Sequence, residues 1–148
     1  MSYRIGGAAL LVVLAAGCGS APTEAAPASA ASAPAASDAS ARALLPGAQA
    51  YVDAVNAGDL EALVASFASD GEIVDVSRRI SGHDAIRSWA DAEVIGGSLR
   101  VDGVTTVAPD QQRVRVHWAP SGSAGWAADY TFTDRDGRIT VADLQYAS

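Results

Sequence analysis

Few side chains in this 148-residue sequence combine a reactive group with a spacing that could use it. Cys18 is the only thiol, and it directly follows a short apolar run. His83 and His117 are the only imidazoles. His83 falls in the first turn of a helical segment, and His117 alternates with Arg113 and Arg115, so both are expected at the surface. Without further histidines, cysteines or clustered carboxylates at ligand spacing they make no metal site. No serine has the strand–turn–helix context of a nucleophile, and no glycine-rich phosphate loop follows a strand, so no cofactor is expected. Asp75 is a carboxylate inside a strand-like run, and Trp89, Trp118 and Trp126 are expected in the core or on the wall of a pocket.

The thiol belongs to an export signal. Arg4 precedes the apolar run at residues 5–16, and small residues lead into Gly17-Cys18, the pattern of a secretory signal peptide. As a helix this run reaches only about 18 Å, short of the roughly 30 Å hydrocarbon core, so it is not a membrane span. Leu14-Ala15-Ala16-Gly17-Cys18 resembles the lipobox of bacterial lipoproteins, with Ala15 where leucine is usual. That resemblance implies that Cys18 carries lipid and becomes the mature N-terminus. The alternative is an ordinary signal peptide cut nearby, leaving a free thiol. Several acyl chains at about 0.8 kcal/mol per buried CH₂ would hold the protein on a membrane. Gly19 replaces the aspartate associated with inner-membrane retention, so in a Gram-negative cell the expected location is the periplasmic side of the outer membrane.

Residues 19–44 form an Ala/Ser/Pro-rich stretch that is expected to be a disordered tether, because it has too little apolar surface to offset its ordering entropy. Extended, its residues 19–41 reach at most about 80 Å. The formal net charge is −7 and there is no lysine. The two arginines and two acids before Leu45 cancel, so the excess lies in residues 45–148. An acidic surface repels phosphate backbones, and nucleic acid is excluded as a partner.

From Leu45 onward the texture is globular. Pro46 suits a first helical turn, after which Ala48, Val52 and Val55 share a face. Gly58 stops that helix and Asp59 caps the next, in which Leu60, Leu63, Val64 and Phe67 fall on one stripe. Asp70-Gly71 reads as a break, Ile73–Val76 as a strand, and Ser81 with Asp84 as a weak capping box opening a third helix through Ile86, Trp89, Ala90 and Val94. Four strands follow: Leu99–Val107, one centred on Val114 and Val116, one with Trp126, Ala128, Tyr130 and Phe132 on its heavier face, and Ile139–Tyr146. Asp134-Arg135-Asp136-Gly137 is a hairpin turn, and the change of apolar parity between Val141 and Leu144 predicts a bulge. This is an α+β domain, a cone of curved, mostly antiparallel sheet wrapped on three helices.

The order Tyr51 … Asn56-Ala57-Gly58-Asp59-Leu60 … Phe67-Ala68-Ser69-Asp70-Gly71 … Asp75, then Gly82 … Ala85-Ile86 and Phe132 … Asp136-Gly137-Arg138-Ile139, resembles the nuclear transport factor 2-like superfamily. Within it the chain is similar to the SnoaL-like polyketide cyclases and ketosteroid isomerases, over residues 45–148. The resemblance implies a cone with an apolar interior and one mouth, with Tyr51 as an oxyanion donor and Asp75 as a proton shuttle. A carboxylate in dry surroundings has its pKa raised toward the working range, and a phenol contributes most where water is excluded. Phe67, Trp89, Trp118, Trp126 and Tyr130 are the expected pocket lining. A second oxyanion aspartate falls at Asp129 counted back from Gly137, but its place falls at Ala128 counted back from Phe132. Strand alternation puts these on opposite faces, and the heavy face containing Tyr130 favours Asp129 outward. Phe67 and Ala90 stand where supporting tyrosines of an isomerase would be.

Three functions follow from these residues. The first is a binding module for a small apolar molecule, and the second is an isomerase, cyclase or dehydratase using Asp75 and Tyr51. The third is an interaction module that forms a homodimer through its exposed sheet face. A carboxylate and a hydroxyl converging in an open pocket would separate the first two from the third. Lipidation is tested separately: Cys18→Ala is expected to move the protein from the membrane fraction to the soluble fraction, and retention at the membrane would show a different anchor.

Overall fold

The computed structural model describes residues 43–148, so the expected signal peptide, Cys18 and nearly all of the tether lie outside the described residues. Folded contacts begin at Ala43, ahead of the expected boundary at Leu45, and Leu44 packs against the core. The elements are α1 (Pro46–Ala57), α2 (Leu60–Ala65), β1 (Phe67–Asp75), β2 (Arg78–Ser81), α3 (His83–Glu93), β3 (Ser98–Ala108), β4 (Gln111–Ala119), β5 (Trp126–Arg135) and β6 (Arg138–Tyr146). The strands form one curved sheet in the order β2-β1-β6-β5-β4-β3. Every neighbouring pair is antiparallel except β1 and β6, which run parallel.

Helix α1 starts without a side-chain cap of its own at Leu45, and Pro46 occupies the first turn. The strands supply the missing acceptors. Asp134 Oδ2 accepts the Gly47 N–H at 2.7 Å, and Gln112 Oε1 accepts the Leu45 N–H at 2.8 Å. Gln112 Nε2 donates to the Ala43 carbonyl at 3.0 Å, and both Gln112 and Asp134 are buried. A side chain at position 47 would stand 2.8 Å from the Ile139 backbone nitrogen, so only glycine lets the helix start this close to β6. At its other end Gly58 adopts φ 66°, and Asp59 Oδ1 then caps α2 by accepting the Ala62 N–H at 2.9 Å.

Helix α2 is shorter than its apolar stripe predicts. It ends at Ala65, and Phe67 opens β1 instead of extending the helix. Ser66 Oγ donates back to the Leu63 carbonyl at 2.6 Å, and the Ser66 carbonyl accepts the Ile139 N–H at 2.8 Å. A tertiary hydrogen bond thus replaces helix propagation. The break expected at Asp70-Gly71 survives as a distortion inside β1, whose pairing with β6 shifts register between Phe67 and Glu72.

Strand β2 has no counterpart in the expected pattern. It pairs with β1 across a tight turn at Val76-Ser77, where Val76 takes φ 57°, an uncommon conformation for a β-branched residue. Ser81 is the last residue of β2, and its hydroxyl donates to Glu72 Oε2 rather than capping a helix. Gly82 is the residue before α3, with its N–H bonded to the Gly71 carbonyl. In β6 the parity change falls at Thr140, before Val141: Ile139 faces Asp134 while Val141 faces Thr133. The extra residue turns Val141 outward and Ala142 and Leu144 inward. The β5–β6 turn has positive φ at both Asp136 and Gly137, as a two-residue hairpin requires.

The core lies between the helices and the concave face of the sheet. It includes Tyr51 and Val55 from α1, Leu63 from α2, Ile86 from α3, and Phe67, Ile73, Val114, Val116, Phe132 and Ile139 from the strands. Asn56 ties α1 to the start of β3 by donating to the Leu99 carbonyl and accepting its N–H. Asp134→Ala removes the remote cap of α1, so it is expected to lower unfolding free energy by about 1–2 kcal/mol. Chemical denaturation measures this, and an unchanged midpoint would show that Gly47 finds another acceptor at no cost.

Candidate active site

The register of the sheet sets out the site in rows. Asp75 on β1 neighbours Leu144 on β6, which neighbours Tyr130 on β5. In the next row Tyr146 faces Ala128, and beyond it Trp126 faces Trp118. These rows, roofed by α1 and α3, enclose a cavity of about 520 Å³. Ala128 is the small residue in the middle of this wall, and a larger side chain there would fill the space.

Two phenols reach the cavity from the core side. Tyr51 is only 1 % exposed, with its ring edge-on to Phe67 at 6.0 Å and tilted against Phe132 at 5.5 Å. Tyr130 is edge-on to the same Phe132 at 6.1 Å. Phe132 therefore positions both rings. Both tyrosines line the cavity, and neither hydroxyl has a hydrogen-bond partner among the described residues. Burial pushes the Tyr51 phenol well above its ordinary range, helped by Tyr130 and by the charge on Asp75. Burial and then Asp75 push Tyr130 up as well. Both remain neutral donors at any physiological pH.

Asp75 ends β1 at the cavity mouth, and its carboxylate is not isolated. Arg78, across the β1–β2 turn, is ion-paired with it, and Trp89 Nε1 lies 3.4 Å from Oδ2. The same guanidinium reaches Glu93 at the end of α3, with Nη1–Oε1 2.9 Å and Nη2–Oε2 2.7 Å. Arg78 holds the Glu93 carboxyl below the usual range, chiefly through these hydrogen bonds. The dry surroundings expected for Asp75 are thus replaced by an ion-pair trio at a half-open mouth.

Trp89, Trp118, Trp126 and Tyr130 line the cavity. Phe67 does not. It is fully buried beneath Tyr51, because Ser66 and Ile139 draw it into the sheet. Ala128, not Asp129, faces the cavity; Asp129 points the other way and is paired with Arg115 at 2.6 and 3.0 Å. His83 is half-buried, contrary to the exposed position expected of it, with Nε2 3.1 Å from the Phe67 carbonyl oxygen. His117 Nε2 lies 2.9 Å from the Ala124 carbonyl oxygen. No group of three or more metal-ligating side chains occurs among the described residues. Sequence reasoning missed Arg78, Glu93 and the exposed Tyr146 as cavity residues. The spacing of Asp75 and Arg78 could have suggested a pair across a turn; nothing local marks Glu93.

Residues 48–144 match the SnoaL-like domain. The chain belongs to this family. A candidate polyketide cyclase from Sinorhizobium meliloti is similar at 28% identity and TM-score 0.60, over 69% of this chain and 95% of that one. A candidate ketosteroid isomerase from Kribbella flavida superposes at TM-score 0.61 with 19% identity, over 70% and 77% of the two chains. RV0760c from Mycobacterium tuberculosis, solved in complex with estradiol-17beta-hemisuccinate, superposes at TM-score 0.60 with 18% identity, over 70% and 95%. Among curated proteins, none matches the sequence. The SnoaL-like domain here has the nuclear transport factor 2-like fold, and its cavity occupies the interior of the cone.

One wall of that cavity depends on a glycine. A methyl group at Gly97 would collide with Trp118 Cη2 and stand 2.8 Å from Cζ3. Gly97→Ala is expected to displace the indole and to cost about 1–3 kcal/mol. A changed near-ultraviolet circular dichroism spectrum together with a lowered denaturation midpoint would report this, and an unchanged spectrum would show that the wall adapts.

Proposed function

We propose that this SnoaL-like domain binds a small, largely apolar molecule that presents an oxygen acceptor to Tyr51 and Tyr130. The observation that carries this reading is the pair of buried phenols without hydrogen-bond partners among the described residues, both opening on one cavity of about 520 Å³. A volume of roughly 300–1,000 Å³ with apolar walls and a few convergent polar groups is typical of small-molecule sites. The steroid body of estradiol-17beta-hemisuccinate, the ligand in the mycobacterial structure, is of this size and apolar character, while its carboxylate has no counterpart in this reading. Export and anchoring through a lipidated Cys18 would place such a binder in the cell envelope, where apolar molecules partition.

A second reading keeps the same cavity and makes it catalytic. Asp75 lines it together with both phenols, the arrangement that proton transfer beside an oxyanion would need. Arg78 argues for binding over turnover, because its ion pair with Asp75 would have to open before the carboxylate could reach a ligand's proton.

Intrinsic tryptophan fluorescence reads occupancy directly, since all three tryptophans line the cavity. With a phenolic steroid as probe, Tyr51→Phe and Tyr130→Phe are each expected to weaken binding by roughly two- to tenfold, the effect of one lost hydrogen bond. Thermal stability of the unliganded protein is expected to hold or rise. Unchanged affinity in both variants would remove the phenols from recognition. Asp75→Asn separates the readings, because it abolishes any turnover of a catalyst and spares a binder's affinity for this uncharged steroid probe.

A further inference from the structure

The cavity collects an unusual share of the protein's aromatic rings. All three tryptophans, Trp89, Trp118 and Trp126, line it, and so do three of the four tyrosines, Tyr51, Tyr130 and Tyr146. Among the described residues its only charged lining residues are Asp75, Arg78 and Glu93. Two carboxylates against one guanidinium leave the wall with one negative charge in excess.

These two properties select a charge type. The face of an aromatic ring carries negative potential, so rings around a desolvated space attract a soft cation and repel an anion. The carboxylates act in the same sense. Asp75 raises the pKa of both Tyr51 and Tyr130, so its field reaches the cavity interior despite the pairing with Arg78. The chain as a whole carries a net charge of −7 and no lysine, which adds to the same sign. An anionic ligand would have to displace a carboxylate from Arg78, already held by Asp75 on one side and Glu93 on the other. A strongly hydrated ion would lose its water against indole rings. A tertiary or quaternary ammonium spreads its charge over methyl or methylene groups, loses little hydration, and presents an apolar surface to the walls.

We propose that the cavity takes an apolar organic cation, with a tertiary or quaternary ammonium group held among the aromatic rings and Asp75 and Glu93 as its counter-charges. This rests on the small-molecule reading of the same cavity and names the charge of the ligand. The remaining apolar body fills the space against Leu144 and Ala128, where the phenols can meet an oxygen if the ligand carries one.

A matched pair of probes tests the charge alone. Benzyltrimethylammonium and neopentylbenzene have nearly the same shape and differ by one positive charge. With the full chain and tryptophan fluorescence as readout, the cation is expected to bind about tenfold more tightly. Glu93→Gln is expected to weaken the cation by about threefold or more and leave neopentylbenzene unchanged, whereas Arg78→Gln is expected to strengthen the cation selectively. Equal binding of the two probes, or preference for neopentylbenzene, would overturn the proposal while leaving the apolar cavity intact. Binding of neither probe would overturn both the proposal and the small-molecule reading. If a variant fails to fold, the comparison on the unaltered protein still decides.

Discussion

The parallel pairing of β1 with β6 is the contact on which the rest of this structure depends. It joins a strand that follows the first helices to the last strand of the chain, and it is the only parallel pair in the sheet. Its first bond, from the Ile139 N–H to the Ser66 carbonyl, ends α2 and starts β1. Its last pair sets Asp75 beside Leu144 and so in a row with Tyr130. Without that register the carboxylate and the phenols would sit on separate pieces of structure. Closing so long a loop is entropically costly, and the helix end, the hairpin turn and the buried Asp134 cap all converge on the same place to offset it.

The mouth of the cone is governed by a second, electrostatic balance. Arg78 satisfies two carboxylates that arrive from different elements, the end of β1 and the end of α3. It ties α3 to the sheet and, in doing so, commits Asp75 to an ion pair. Any ligand that reaches the mouth therefore meets a carboxylate already paired with a guanidinium. Behind the mouth the polarity changes abruptly. Tyr51 and Tyr130 are wedged on Phe132, their hydroxyls have no partner among the described residues, and burial keeps them protonated. Neutral phenols, indole rings and the Arg78 ion-pair trio thus share one cavity.

Sequence reasoning was strongest where a local signal and the tertiary fold agree. Pro46, Gly58 and Asp59 set helix boundaries through φ preferences and capping, which act over a few residues. Alternation in β4 and β5 put Val114, Val116, Tyr130 and Phe132 inward and Asp129 outward, since a pleated strand leaves no other choice. It was weakest where partners distant in the chain override local preference. Phe67 continues a helical stripe perfectly well, yet Ile139 draws it into a strand. Ser81 looks like a cap, yet Glu72 takes its hydroxyl and Gly82 takes its place. Arg78 meets Glu93 only because α3 brings it there, and Arg79 meets Glu72 only through the β1–β2 pairing, so neither pair shows in the local sequence.

By itself, then, the sequence determined the class of fold, the capped helix ends, the hairpin turn and the inward faces of the long strands. All of these follow from backbone preferences and from alternation along a single segment. Only the tertiary structure decided which side chains share the cavity, that Ala128 leaves room for it, and that Asp75 is paired rather than free. Those outcomes depend on register between strands and on which helix ends meet the sheet. Such relations are set by the packing of residues far apart in the chain, and no local pattern encodes them.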